Sequence, residues 1–88
     1  MVQKTFKIIS KEGLHARPAS ELVKLANASI SDMSIQYAEQ NVNLKSILAV
    51  MALGVPANGE ITITATGADE AEALQKLETT LIAQGVIA

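Results

Sequence analysis

The stretch EITITAT, residues 60–66, constrains this chain more than any other. Ile61, Ile63 and Ala65 alternate with Thr62, Thr64 and Thr66, so the segment reads as a strand with one apolar and one polar face. A strand covered on both sides would show a continuous apolar run instead. The one-sided pattern recurs in residues 2–9, where Val2, Phe6 and Ile8 oppose Gln3, Thr5 and Lys7. It recurs again where Met33, Ile35 and Tyr37 alternate with Ser34 and Gln36, and a short strand around Val42 follows a turn at AEQN, 38–41. Strands of this kind predict an antiparallel sheet with one face covered and the other wet.

Helices supply the cover. After a turn at SKEG, 10–13, the residues Ala19, Leu22, Val23, Ala26 and Ile30 follow helical spacing with one buried face, and Asn27 is the expected terminator. Ser46 opens a short helix that Gly54 closes, with Pro56 soon after. Asp69 with Glu72 is close to a capping box for a third helix lined by Leu74, Leu77 and Leu81. Gly85 ends that helix, and Val86 stands where a Schellman motif places its apolar contact. The order βαββαβα defines an α+β fold: a four-stranded antiparallel sheet with three helices on one face, expected as a single domain over residues 1–88.

Composition narrows the function. The chain is 49% hydrophobic yet holds one Phe and one Tyr, so its core is aliphatic and its 88 residues leave no room for a deep pocket. It has no cysteine, which excludes disulfides, thiolate chemistry and the usual structural zinc sites. A net charge of −2 without any run of Lys or Arg argues against nucleic acid and anionic membranes as partners. The apolar run ILAVMAL, 47–53, is too short to span a bilayer, and MVQKTFKIIS lacks the apolar region of a secretory signal. A cytoplasmic protein without membrane insertion is the expectation.

The chemistry concentrates in GLHARPAS, residues 13–20, which contains the only histidine. A lone histidine is often a surface or capping residue with no reaction to perform. Metal binding needs further ligands, and neither a second His nor a Cys exists; Glu12 alone would not suffice. No nucleophile turn of the type G-x-S-x-G is present. Neutral imidazole can, however, attack phosphorus, and the dianionic product needs donors and positive charge nearby. The start of a helix offers unpaired N–H groups and a partial positive charge, and Arg17 adds a mobile charged donor. Pro18 suits the first helical turn, and Ala16 is small enough to leave the ring of His15 accessible. These residues describe a phosphate-accepting surface, not a cleft.

A second cluster is VNLKSILAVMALG, residues 42–54. Ser46 is an N-cap by position, its hydroxyl available to the N–H of residue 48 or 49. The helix behind it is apolar nearly all round, which a helix one layer deep cannot bury completely. With Leu44, Val50 and Leu53 assigned to the core, Ile47, Leu48 and Met51 form an exposed apolar patch of the kind that marks protein contacts, unless a loop covers it. Lys45 and Ser46 lie at its rim, where a phosphate could act as a switch.

GLHARPAS, VNLKSI, VMALG and EITITATGADEAEAL together resemble the histidine-containing phosphocarrier (HPr) family of the bacterial sugar phosphotransferase system, in its Gram-positive form. The resemblance extends over essentially the whole chain. It implies an open-faced β-sandwich with sheet order 1-4-2-3 and the role of a phosphoryl carrier, not an enzyme. His15 matches the phosphorylated histidine, with Nδ1 as acceptor, Arg17 the phosphate-contacting arginine, and Ser46 the serine modified by HPr kinase/phosphorylase. Ala16, Ser20, Ile47, Leu48 and Met51 match the partner-binding surface. The implied partners are enzyme I, the A domains of sugar permeases, the kinase/phosphorylase and a catabolite-control transcription regulator. A monomer with no bound cofactor or metal is implied.

The chain departs from the family's common pattern at two places. Ala49 stands where Gly is frequent, which favours the helix by about 1 kcal/mol and adds a methyl near a contact surface. AEQN replaces an Asn-Gly hairpin turn. Two other classes remain open at this level: a regulatory relative that works through Ser46 without carrying phosphate on histidine, and a ligand-binding module of a larger assembly. Relatives of the first class lack the histidine, and a Gly-rich cradle for the second is absent.

Overall fold

The computed structural model describes residues 1–88 and contains β1 (Val2–Lys7), α1 (Ala16–Ala28), β2 (Asp32–Tyr37), β3 (Gln40–Asn43), α2 (Ile47–Ala52), β4 (Glu60–Thr66) and α3 (Glu70–Ala83). The four strands form one antiparallel sheet, as the one-sided alternation predicts, in the order β1-β4-β2-β3 that the resemblance implies. In β4, Ile61, Ile63 and Ala65 are fully buried under the helices. The opposite face is wet, and there Thr5 Oγ1 and Thr62 Oγ1 share a hydrogen bond of 2.8 Å across the β1–β4 pair.

A single apolar cluster joins both layers. Leu22 and Ala26 of α1, Val50 of α2 and Leu77 and Leu81 of α3 meet Phe6, Met33, Ile35, Ile61 and Ile63 of the sheet. Each fully buried Leu or Ile contributes about 1.5–3 kcal/mol by leaving water, so an aliphatic core of this size stabilises the fold without large aromatics. The third helix ends as expected: Gly85 adopts φ 70°, Val86 N donates to Leu81 O (2.9 Å), Gly85 N to Ile82 O (3.0 Å), and Val86 is buried. No helix is long and apolar enough to cross a membrane.

Four local expectations are corrected. Asn27 does not end α1; the helix runs to Ala28 and stops at an extended Ser29. The Asn27 amide instead donates to Val23 O (2.8 Å) and, across the fold, to Lys45 O (3.0 Å). Ile30 lies beyond the helix and is 76% exposed, because the chain has already turned toward β2. Asp69 and Glu72 form no capping box: the Asp69 carboxylate is taken by Ser29, Ile30 and Ser31, while Glu70 Oε1 accepts from Gly67 N (3.1 Å). The β2–β3 turn is only Ala38 and Glu39, with Tyr37 opposite Gln40 and Ala38 at φ 55°.

The first strand also holds an inward-facing charge at the sheet edge. Lys4 lies on the same side as Val2 and Phe6, yet reaches over to α3 and pairs with Glu78 through both carboxylate oxygens (2.8 and 2.9 Å).

Candidate functional site

His15 is the N-cap of α1, with an extended backbone (φ −84°, ψ −177°) and no capping bond from its ring. Its carbonyl receives the first helical bond from Ala19 N (3.1 Å). Ala16 and Arg17 follow as the first helical residues, and Pro18, buried, completes the turn where a missing N–H leaves no gap. The ring of His15 is half-buried, whereas Ala16, Arg17 and Ser20 are exposed. Arg17 enters none of the ion pairs, which join Met1 to Glu70, Lys4 to Glu78 and Lys76 to Glu72.

The loop in front of His15 is pinned on several sides. Leu14 N donates to Val55 O (3.0 Å), Ile9 N to Val86 O (2.8 Å), and Ser10 Oγ to Gly13 O (2.7 Å). Gly13 sits at φ 69°, and a Cβ there would lie 2.2 Å from Val55 O, so only glycine allows this approach. The same Gly13 oxygen lies 3.1 Å from His15 N and 3.2 Å from His15 Nδ1. A carbonyl oxygen at that separation favours the tautomer with hydrogen on Nδ1, which would donate to it, over the one with a lone pair there.

Ser10, Glu12, His15, Arg17, Gln84 and Gly85 line one shallow depression without a single aliphatic side chain. From sequence, Ser10 reads only as part of a turn and Glu12 only as an insufficient metal ligand, and nothing points to Gln84. The first two follow the strand in a plain turn, and Gln84 arrives from the far end of the chain, where no motif marks it. The arrangement offers an accessible imidazole, a free guanidinium and the N–H groups of Ala16 and Arg17 at one helix start, which suits a doubly charged phosphoryl group.

Ser46 is the N-cap of α2, and its hydroxyl accepts from Ala49 N (3.2 Å), the second of the two expected donors. Asn43 sets its position, for Ser46 N donates to Asn43 O (3.1 Å) and Lys45 N to Asn43 Oδ1 (2.9 Å). From α1, Asn27 holds Lys45 O, and Lys45 Nζ donates to Ser29 O (3.1 Å), so the end of α1 braces the start of α2. Leu44, Val50 and Leu53 are buried, while Ile47, Leu48 and Met51 are 39%, 82% and 40% exposed. No loop covers that face, and α1 packs directly beside α2.

A small open-faced β-sandwich with a half-buried but accessible imidazole at a helix start is the architecture of a phosphocarrier domain. The family model described as "PTS HPr component phosphorylation site" matches residues 2–83, and the chain belongs to this HPr phosphocarrier family of the phosphotransferase system. Solved structures agree. A mycoplasma histidine-containing phosphocarrier protein is 42% identical, covering 98% of each chain at a TM-score of 0.95. The phosphocarrier protein HPr of Bacillus anthracis is 40% identical over 90% of this chain and 94% of its own, at 0.82. The Bacillus subtilis catabolite repression protein Crh, described as a swapped dimer, is 40% identical over the whole of both chains, at 0.71.

Proposed function

We propose that this chain accepts a phosphoryl group on His15 from phosphorylated enzyme I and passes it to the A domains of sugar permeases. A lone pair of the ring forms a bond to phosphorus as the bond from phosphorus to its donor atom on enzyme I breaks. Arg17 and the N–H groups of Ala16 and Arg17 stabilise charge on the equatorial oxygens, and Ala16 and Ser20 lie where the partner approaches. The observation that carries this reading is His15 at the start of α1 beside an unpaired Arg17, in a depression free of aliphatic side chains. Ser46 is the site for HPr kinase/phosphorylase, and Ile47, Leu48 and Met51 are the apolar contact for enzyme I and a catabolite-control transcription regulator. Residues 1–88 act as a single domain that works as a monomer in the cytoplasm.

Incubation with phosphoenolpyruvate and enzyme I, followed by intact mass before and after mild acid, tests the reading. A phosphoramidate is gained and then lost in acid. A chain phosphorylated only by the serine kinase, with an acid-stable mass, would instead be a regulator acting through Ser46.

A further inference from the structure

Gly13 O is oversubscribed. A carbonyl oxygen has two lone pairs, yet Ser10 Oγ at 2.7 Å and His15 N at 3.1 Å already donate to this one, and His15 Nδ1 at 3.2 Å becomes a third donor in the tautomer with hydrogen there. The backbone N–H is fixed by the chain, and the hydroxyl is the closest of the three, so the ring is the weakest claimant. Ser10 also lines the depression that holds His15 and Arg17.

From this convergence we infer that Ser10 is a positioning residue for phosphoryl transfer: its hydroxyl occupies Gly13 O and so frees Nδ1 of His15 from holding a hydrogen there. The inference rests on the carrier reading, with Nδ1 as the acceptor. Attack through Nδ1 requires the tautomer with hydrogen on Nε2. The N–P bond then forms at Nδ1, the electron pair of the broken bond returns to the donor on enzyme I, and the hydrogen on Nε2 stays in place. Without the Ser10 hydroxyl, Gly13 O binds the ring N–H more strongly and draws hydrogen to Nδ1, where it blocks the attacking lone pair. After transfer, the same oxygen would face the phosphoryl oxygens with one donor fewer, so the phosphorylated form is weakened as well.

The test compares wild type, Ser10→Ala and Ser10→Thr. Ring ¹⁵N shifts of the neutral imidazole report the tautomer ratio without any partner. Ser10→Ala should move it toward hydrogen on Nδ1 by roughly three- to tenfold, the range one neutral hydrogen bond commands. Phosphorylation at saturating enzyme I should slow by a similar factor, and Ser10→Thr, which keeps the hydroxyl, should restore both. An unchanged tautomer ratio in Ser10→Ala overturns the inference even if transfer slows, since a mere turn residue would do that. A Ser10→Thr variant as impaired as Ser10→Ala overturns it too. If wild type takes up no phosphate from enzyme I, the carrier reading falls, while the tautomer comparison still decides what Ser10 does to the ring.

Discussion

Asp69, the N-cap of α3, closes over Ser31, the residue just before β2. Its Oδ1 accepts from both the hydroxyl and the backbone N–H of Ser31, and the carboxylate also takes the Ser29 hydroxyl and the N–H of Ile30. These donors, the Ser31 and Ser29 hydroxyls foremost, hold the carboxyl at about 2, below the ordinary 3.8. Since the folded value is depressed, the stabilisation is fully present above the ordinary value and is lost as pH falls through about 2. Asp69→Asn should lower the melting temperature at neutral pH and flatten its dependence on pH between roughly 4 and 2. A variant with the same acid profile as wild type would show that other carboxylates set it.

Gly13→Ala should disorder the approach to His15. The left-handed backbone alone costs a side chain about 1–2 kcal/mol, and the clash with Val55 O adds to it. Thermal unfolding should show a loss of at least that size, with amide shifts concentrated at residues 13–15 and 55–56 and slower phosphoryl uptake.

Ala38→Gly should stabilise the protein. Ala38 is held at φ 55° in a two-residue turn, a conformation that glycine adopts freely. A gain of about 1 kcal/mol is expected, seen as a rise of roughly 4–8 °C in Tm. An unchanged Tm would mean that the greater freedom of glycine in the unfolded chain cancels the relief.

Leu48→Glu separates contact from core. With 82% of Leu48 exposed, the change should leave stability within about 0.5 kcal/mol. It should weaken enzyme I by tenfold or more, because a charge opposes burial of an apolar contact. Titration calorimetry alongside a melting curve checks both halves.

Ser46→Ala should cost about 1 kcal/mol by leaving Ala49 N without its cap, whereas Ser46→Asp, still able to accept that bond, should melt close to wild type. The Asp variant should nonetheless be phosphorylated more slowly on His15, since its charge stands at the rim of the Ile47, Leu48 and Met51 face. Equal rates for Ser46→Asp and wild type would reduce Ser46 to a helix cap.

What the sequence determined alone are the features governed by neighbours within a few residues. Alternation in 60–66 dictated a half-wet strand, Ser46 capped the helix that begins one residue later, and Gly85 with Val86 closed α3 by its own backbone bonds. The apolar excess of α2 likewise announced an exposed face, because a one-layer helix has only one side to bury. The tertiary structure decided which acceptor each polar group meets. Asp69 had a local capping role available, yet took Ser29 and Ser31, some forty residues away, and Asn27 became a brace on Lys45 in place of a helix terminator. Gln84 joined His15 only because α3 ends beside the first loop, where Ile9 N reaches Val86 O. Short-range patterns follow from backbone geometry, which every residue carries with it. A carboxylate or amide can satisfy any donor or acceptor within about 3 Å, so its partner is chosen by the packed fold and is not written in the adjacent sequence.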